Sequence, residues 1–265
     1  MPELAELRLS SDYVNEHVAG KTFNKIVKNP KHKGIEVVVP YDEFIIQTES
    51  RGKELKMKII GEPNFDKGCG LKTMSQLMFG FGMTGSFVFT KNTEIPKYAH
   101  LQFHTTDGYV LSFVDVRRFG RWKFGTWNKD RSPDPTTEYD KFVKHIYDNI
   151  NTTAFNKPIY ELLMNQKYCN GIGNYLRAEI LGRIDSNPFV PAKDYIQSNP
   201  KVLELCKKIP LESYEYKKNK KTIYGVVEPY LKFYKNDKSL SIEDKGKRIF
   251  WYDAKWGNKF NKKLV

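Results

Sequence analysis

The sequence predicts an α+β fold, with a β-rich N-terminal half that forms a sandwich or barrel and a mainly helical C-terminal half. Between about Thr22 and Gly125, apolar residues fall in short runs rich in β-branched and aromatic side chains, and Gly, Pro, Asn and Asp separate these runs. Beyond about residue 138 the apolar residues recur at helical spacing. Hydrophobic residues make up 40% of the 265 positions, enough for an ordinary core.

The first element is a helix over Pro2–Ala19, since apolar side chains recur there at mostly helical spacing and Gly20 is placed to end it. Short strands follow, and in one of them Ala99, Leu101 and Phe103 alternate with polar neighbours, as in a half-buried strand. The clearest strand runs are Lys53–Ile60, Gln76–Gly82, Ala99–His104 and Tyr109–Val116.

The segment Asn128–Thr137 has two prolines and almost no apolar side chains, which is typical of a linker. We therefore expect domains over residues 1–127 and 139–265, joined by residues 128–138. Helical spacing in the second domain covers Glu138–Ile150, Ile159–Met164, Asn174–Leu181 and Pro200–Ile209. Ser213–Lys221 is predicted as a polar loop, and Lys247–Tyr252 as the second strand of a hairpin at about residues 238–253.

Charge favours a polyanionic partner. The net charge is +13, and the last 65 residues hold 17 basic and 8 acidic side chains, which is +9 of that total. Nucleic acid is the first candidate partner and an acidic membrane surface the second, although a merely solvated lysine-rich face fits the charge almost as well. No apolar run approaches a membrane span or a secretory signal, so we expect a soluble intracellular protein without a membrane partner.

The three cysteines lie far apart, with no Cys-x-x-Cys pair and no nearby pair of histidines. A structural zinc site would lack its ligands, so the sequence predicts no metal and no disulfide framework. A metal-dependent nuclease is disfavoured as well, because no Asp, Glu and His cluster has ligand spacing.

Gly171–Ile180 places two glycines and Asn174 immediately before a helical run. Asn174 is a suitable N-cap, and the N–H groups at a helix start can bind an anion such as phosphate. An ordinary capped helix–turn–helix corner explains the glycine spacing equally well.

At the N-terminus, removal of Met1 would leave Pro2 with a secondary amine that can attack a sugar carbon and form an iminium. Glu3 would stand beside that amine as a proton donor, and Glu6 lies one helical turn further along. A purely structural explanation is that proline and acidic residues are common at helix starts.

Lys53 lies at the mouth of a predicted strand, where it can pair with phosphate, although most such lysines have no specific role. Met83, Arg117 and Phe119 lie in glycine-flanked loops. These side chains suit wedges that fill the gap left when a base leaves the stack, although exposed Met and Phe are more often packed into a core.

Taken together, these motifs resemble the Fpg/Nei family of DNA glycosylases with lyase activity, and specifically its zinc-less, endonuclease VIII-like branch. The resemblance runs nearly the whole length of the chain. It rests on Pro2-Glu3 with Glu6, Arg51–Leu55, Phe81–Phe87, Phe113–Trp122, Asn170–Leu181 and Asn199–Cys206.

The resemblance implies an N-terminal β-sandwich with a leading helix, and a C-terminal helix–two-turn–helix domain with a zinc-less finger hairpin. Pro2 resembles the nucleophile that attacks C1′ of the damaged nucleoside, and Glu3 the acid that helps open the sugar. Lys53 matches a lysine that grips phosphate near the lesion, and Glu6 is grouped with the residues expected to contact DNA.

The remaining matches concern DNA contacts. Met83, Arg117 and Phe119 match the positions that fill the vacated space, and Arg117 is chosen over Arg118 for its spacing of two from the phenylalanine. Three other positions match a helix–two-turn–helix phosphate contact, a recognition-loop lysine and the finger arginine; they are Asn174, Lys232 and Arg248, with Lys247 as the alternative finger residue.

Two departures from the family pattern stand out. Leu4 and Ala5 replace the usual Gly-Pro between the two acids, and the zinc-binding cysteines of the bacterial finger are absent. The finger must then hold its shape by packing and hydrogen bonds.

The function implied is a bifunctional DNA glycosylase and abasic-site lyase of base excision repair. It would excise oxidised bases through an N-terminal proline iminium, followed by β,δ-elimination, and would require no cofactor. The expected partner is damaged DNA, bound by a monomer in the nucleus of a eukaryote or the cytoplasm of a bacterium. The alternative is a non-catalytic helix–two-turn–helix protein that binds DNA or RNA.

Overall fold

The computed structural model describes residues 2–64, 72–223 and 230–257. The chain divides into two compact units, one built from Pro2 and residues 6–128, the other from residues 3–5 and the chain from Lys129 onward. Helix α1, Leu4–Val18, is followed by Gly20, whose φ of 70° is the left-handed conformation that ends many helices. The leading helix predicted from the sequence is therefore confirmed.

The first unit is an antiparallel sheet of eight strands, in the order β5-β7-β6-β1-β2-β3-β4-β8. The strands β1 to β8 are Phe23–Lys28, Phe44–Arg51, Glu54–Gly61, Thr73–Gly80, Ser86–Lys91, Ala99–Thr105, Tyr109–Val114 and Arg121–Phe124. At the centre, β1 and β2 share one paired position, Phe23 with Phe44, so the sheet separates there into two four-stranded halves.

One hydrophobic core serves both halves of the sheet. Phe87 and Phe113 from one half and Phe79 and Trp122 from the other are all buried in it. The Phe79 ring lies 5.0 Å from the Phe87 ring and 5.2 Å from the Phe113 ring, centroid to centroid. Two antiparallel layers over a shared core form a sandwich-like arrangement, which confirms the predicted β-sandwich.

The second unit is mainly helical, as predicted. Its helices α2 to α6 are Tyr139–Asn149, Ile159–Leu162, Asn174–Gly182, Ala192–Ser198 and Lys201–Asn219. Strands β9, Ser239–Glu243, and β10, Ile249–Asp253, form an antiparallel hairpin at the predicted finger position. Short 3₁₀ helices cover Thr153–Asn156 and Ala254–Trp256.

Helix α6 is longer than the sequence predicts. Ser213–Lys221 was predicted as a loop, but the helix continues through Pro210 to Asn219. Proline removes one helical hydrogen bond, yet Ser213, Tyr214 and Lys217 are buried along the continuing helix. Packing of that face outweighs the local preference that the sequence suggests.

Residues 129–138 belong to the second unit. Ser132 is fully buried, and its hydroxyl accepts the backbone N–H of Asn170 at 2.9 Å. The buried carboxylate of Asp134 accepts the backbone N–H of Thr136 at 2.7 Å. The proline-rich segment is therefore packed rather than extended into solvent.

In the described part of the chain, no helix is both long and apolar enough to cross a bilayer. Residues 2–64, 72–223 and 230–257 contain no grouping of three or more His, Cys, Asp or Glu side chains that could hold a metal ion. Cys169 and Cys206 are buried free thiols. Cys69, also predicted to be unpaired, lies outside the described residues.

Candidate functional site

Glu3 lies at the N-terminus of α4, within the second unit. Its side chain is 2% exposed, and its carboxylate accepts the backbone N–H groups of Gly173, Tyr175 and Leu176 at 2.9, 3.0 and 3.1 Å. A helix start favours an anion because its N–H groups lack helical partners. The sequence predicts that this helix start suits a phosphate, whereas in the structure these three N–H groups bind a carboxylate of the chain itself.

The same contacts correct the predicted cap. Gly173, and not Asn174, is the N-cap of α4, and no side chain of its own caps it. Glu3 takes over the capping from 170 residues away in the sequence. Asn174 is the first helical residue, and its Oδ1 accepts Nη2–H of Arg177 at 2.8 Å.

Pro2 is buried and belongs to the first unit. Like Glu3, it precedes the first turn of α1. Glu6, in that first turn, is only 5% exposed. It therefore offers little surface to DNA, and the contact expected of it stays a prediction.

Lys53 lies at the tip of the β2–β3 hairpin. Arg51 pairs with Glu54, which leaves Gly52 and Lys53 as a two-residue turn. Gly52 has a φ of 56°, which a tight hairpin requires at its first turn position and which glycine adopts without strain. The sheet thus fixes the backbone that carries Lys53.

The two candidate wedge loops lie side by side in the first unit. Met83 is 38% exposed and Phe119 is 51% exposed, and the Arg117 guanidinium lies 4.8 Å from the centroid of the Phe119 ring. A Cβ added at Gly82, whose φ is 60°, would lie 2.8 Å from the carbonyl carbon of Phe119. The structure therefore brings the three predicted side chains onto adjacent, closely packed loops.

Asp115, which is not among the residues predicted from the sequence, holds these loops together through hydrogen bonds. It is fully buried and accepts the Thr84 hydroxyl, together with the backbone N–H groups of Gly120 at 2.6 Å and Arg117 at 3.2 Å. Burial alone would raise the pKa of Asp115, but the bonds from Thr84 and these N–H groups outweigh it and hold the pKa below its ordinary value.

The finger turn is organised by Asp244. Its Oδ1 accepts the backbone N–H groups of Gly246 at 2.9 Å and Arg248 at 3.0 Å, and its Oδ2 lies 3.6 Å from Nε of Arg248. Burial would raise the pKa of Asp244, but the bonds from the Arg248 backbone and the Arg177 guanidinium hold it below its ordinary value. Lys247 adopts a φ of 55° in the same turn.

Arg248 is 43% exposed and lines a groove of about 350 Å³ between the finger turn and α3. Lys157, Asn165 and Lys245 also line this groove, together with the carboxylates of Glu161 and Asp244. Cationic and amide groups of this kind suit a phosphodiester strand.

Glu179 anchors the segment that carries Lys232. The fully buried carboxylate of Glu179 accepts the backbone N–H groups of Lys232, Phe233 and Tyr234 at 3.0, 2.9 and 3.0 Å. Lys232 itself is exposed, and residues 224–229 before it lie outside the described residues. Its backbone is therefore fixed while its side chain faces solvent.

The predicted site residues are divided between the two units. The first unit holds Pro2, Glu6, Lys53, Met83, Arg117 and Phe119, and the second holds Glu3, Asn174, Lys232 and Arg248. The sequence reading missed Asp115, Arg177, Glu179 and Asp244, which support these residues. Arg177 and Glu179 did carry a signal, because charged residues inside the apolar run of α4 require buried partners.

Comparison with known proteins gives a consistent picture. A family model of the formamidopyrimidine-DNA glycosylase N-terminal domain matches residues 1–122. The chain is 32% identical over 289 positions to endonuclease 8-like 1 of Homo sapiens, covering 96% of this chain and 73% of that protein. It is 37% identical over 238 positions to endonuclease 8-like 1 of Mus musculus, covering 80% of this chain and 60% of that protein.

A solved structure shows the same fold. The Lactococcus lactis Fpg protein, in complex with DNA that contains an oxidised pyrimidine, superposes with a TM-score of 0.75 at 19% identity, covering 97% of this chain and all of that one. The fold, and the similarity to the human protein over nearly the whole chain, confirm the resemblance drawn from the motifs. The chain therefore belongs to the Fpg/Nei family, the DNA glycosylases of base excision repair.

Proposed function

We propose that the protein is a bifunctional DNA glycosylase and abasic-site lyase that excises oxidised bases through a Pro2 iminium. The observation that carries the proposal is the Pro2-Glu3 pair, in which the Glu3 carboxylate is held by three backbone N–H groups. A carboxyl group fixed in this way is pre-organised for proton transfer beside the nucleophile.

With Met1 removed, the secondary amine of Pro2 attacks C1′ as the bond from C1′ to the base breaks. An α-amino group has a reference pKa of about 7.7–8.0, so part of it is neutral and nucleophilic near pH 7. The departing base takes a proton from water, and the proton that the amine loses on attack passes to the Glu3 carboxylate. Glu3 then delivers this proton to the ring oxygen as the bond between C1′ and that oxygen breaks, which opens the sugar and leaves the iminium. Loss of the C2′ proton then expels the 3′ phosphate, a second elimination expels the 5′ phosphate, and water frees Pro2.

Base excision also needs the nucleotide out of the stack, which costs a few kcal/mol. In our proposal Met83, Arg117 and Phe119 occupy the vacated space. Lys53, Asn174, Arg248 and Lys232 bind phosphate and the extruded nucleotide, and both units contribute to catalysis and to DNA binding.

The Glu3→Gln variant tests the assignment of the acid. Glutamine keeps an oxygen that accepts backbone N–H groups but loses the proton-transfer group, so we expect excision of thymine glycol from a duplex to fall by about 10²–10⁴-fold. The dissociation constant for a duplex with a tetrahydrofuran abasic analogue should stay within a few-fold of the parent value.

Glu16→Gln, an exposed change on the same helix α1, is the matched control and should retain parental excision. Unchanged excision by Glu3→Gln would remove Glu3 from the mechanism. Binding of abasic DNA by the parent without any strand cleavage would instead favour a non-catalytic DNA-binding protein.

A further inference from the structure

Arg177 is a cation buried at the centre of the second unit. It is 0% exposed, and its guanidinium donates to Asp244 Oδ2 at 3.0 Å and to the carbonyl oxygen of Tyr160 at 3.2 Å. The rings of Phe250 and Tyr160 lie 5.0 and 5.8 Å from the guanidinium carbon. The cation therefore has a carboxylate partner and two aromatic neighbours.

Stability alone does not explain this arrangement. Desolvation of a buried ion pair offsets much of its attraction, and apolar replacements of such pairs are often neutral or stabilising. Helix α4 already buries Leu176, Ile180 and Leu181, so another apolar residue would suit its surroundings. What an apolar residue could not supply is the set of directional contacts that Arg177 makes.

The first of these contacts orients Asn174. A guanidinium only donates hydrogen bonds, so the side-chain oxygen of Asn174 must face Arg177, at 2.8 Å from Nη2. The amide NH₂ group then points away from Arg177. That group is the donor that a phosphate oxygen requires.

The second contact reaches the finger. Asp244 accepts Arg177 through Oδ2, while its Oδ1 holds the backbone N–H groups of Gly246 and Arg248. The turn that presents Arg248 is thereby fastened to α4 by the same guanidinium that orients Asn174. One side chain thus connects two predicted phosphate contacts from different elements.

We propose that Arg177 is a positioning residue that joins the Asn174 amide and the Arg248 finger turn into one phosphate-binding assembly. The inference rests on the proposed DNA-binding roles of Asn174 and Arg248. Arg177 touches no DNA in this arrangement. It acts by fixing the two groups that do.

The double variant Arg177→Met/Asp244→Asn tests the proposal. It replaces the buried ion pair by neutral groups, and the asparagine introduced at position 244 keeps an oxygen for the turn N–H groups. The measurement is the dissociation constant for a tetrahydrofuran duplex as a function of salt concentration. The slope of log affinity against log salt is negative, and each phosphate neutralised adds about 0.9 to its magnitude.

We expect Arg248→Ala to lower the magnitude of this slope by about 0.9. Arg177→Met/Asp244→Asn should lower it by a similar amount, although both of its side chains are buried, and adding Arg248→Ala should lower it no further. Lys144→Met/Asp148→Asn makes the same chemical change at an exposed ion pair on α2 and should leave the slope at the parent value.

Arg177→Lys is the second variant, in case the double variant does not fold. Lysine keeps the charge beside Asp244 but lacks the fork that also reaches Asn174. Asn174→Ala should weaken binding in the parent and have little further effect in Arg177→Lys. Additive effects in this cycle, or a parental slope in the folded double variant, would overturn the proposal.

The outcome is independent of the lyase chemistry. Strand cleavage by the parent together with additive effects would refute the role of Arg177 alone. Coupled effects in a parent that binds abasic DNA without cutting it would refute the lyase and retain the positioning role.

Discussion

At the scale of single residues, buried carboxylates define the conformations that the proposed chemistry needs. Glu3, Asp115, Glu179 and Asp244 are each at most 7% exposed, and each accepts two or three backbone N–H groups. Charge-assisted bonds of this type are stronger than neutral ones, so each carboxylate fixes a short stretch of backbone. In each case the stretch carries or adjoins a residue assigned to DNA.

His32 gives the first unit a pH-dependent stability. It is 3% exposed, its ring lies 4.4 Å from that of Trp122, and its Nδ1 accepts the N–H of Gly34. Burial, followed by the nearby His100 and Arg121, lowers the pKa of His32 from 6.5 to about 4. The unfolded chain therefore binds a proton that the folded chain excludes, and stability is lost as the pH falls from about 6.5 to 4.

Between pH 7 and pH 5 we expect His32 to reduce the free energy of unfolding by about 2 kcal/mol. Urea unfolding of the parent and of His32→Asn at both pH values measures this as the difference between their pH dependences. His145→Asn, at a partly exposed histidine on α2, should behave as the parent does. Equal pH dependence in the parent and His32→Asn would contradict the assignment.

At the scale of elements, we expect the loops that carry Met83, Arg117 and Phe119 to matter more for base excision than for the stability of the fold. Phe119 is 51% exposed, so its removal should change the free energy of unfolding by less than about 0.5 kcal/mol. Excision from a duplex should nevertheless fall by about tenfold or more, because the extruded base leaves a gap that costs a few kcal/mol to open.

Val116→Ala is the matched control, since Val116 is 57% exposed in the same loop and has no assigned role. Single-turnover excision of thymine glycol, measured in duplex and in single-stranded DNA, distinguishes the two variants. We expect Phe119→Ala to be impaired in duplex only. An equal loss in both substrates would contradict the wedge role, since a single strand leaves no gap to fill.

The sequence predicted elements well where local patterns agree with burial. The helix that Gly20 ends, the strands near Ala99 and Tyr109 and the finger hairpin all appear within a few residues of their predicted bounds. The predictions were wrong where tertiary contacts decide. The polar stretch Ser213–Lys221 was predicted as a loop, yet burial of Ser213, Tyr214 and Lys217 extends α6 to Asn219.

The same limit applies to the candidate site. Pro2, Glu3 and the wedge side chains could be named from motifs, because their residue types suit the chemistry directly. That Glu3 caps α4, or that Arg177 meets Asp244, could not be inferred from spacing. These pairs are 170 and 67 residues apart in the sequence, and only the folded chain brings them together.

At the scale of the whole molecule, each unit supplies a different part of the proposed activity. The first unit carries Pro2 and the loops with Met83, Arg117 and Phe119, and the second carries Glu3, helix α4 with Asn174, and the finger hairpin. The excess of basic residues after position 200 is the electrostatic feature expected of a protein that binds a polyanion. Family membership explains why these features occur together.

In the proposed reaction Pro2 becomes covalently linked to DNA. Borohydride trapping on a duplex with one abasic site, followed by mass spectrometry of the linked peptide, tests this directly. The expected result is an adduct on the peptide that begins at Pro2, absent from Pro2→Gly and from chains that retain Met1. An adduct mapped to a lysine such as Lys53, or undiminished trapping by Pro2→Gly, would rule out Pro2 as the nucleophile.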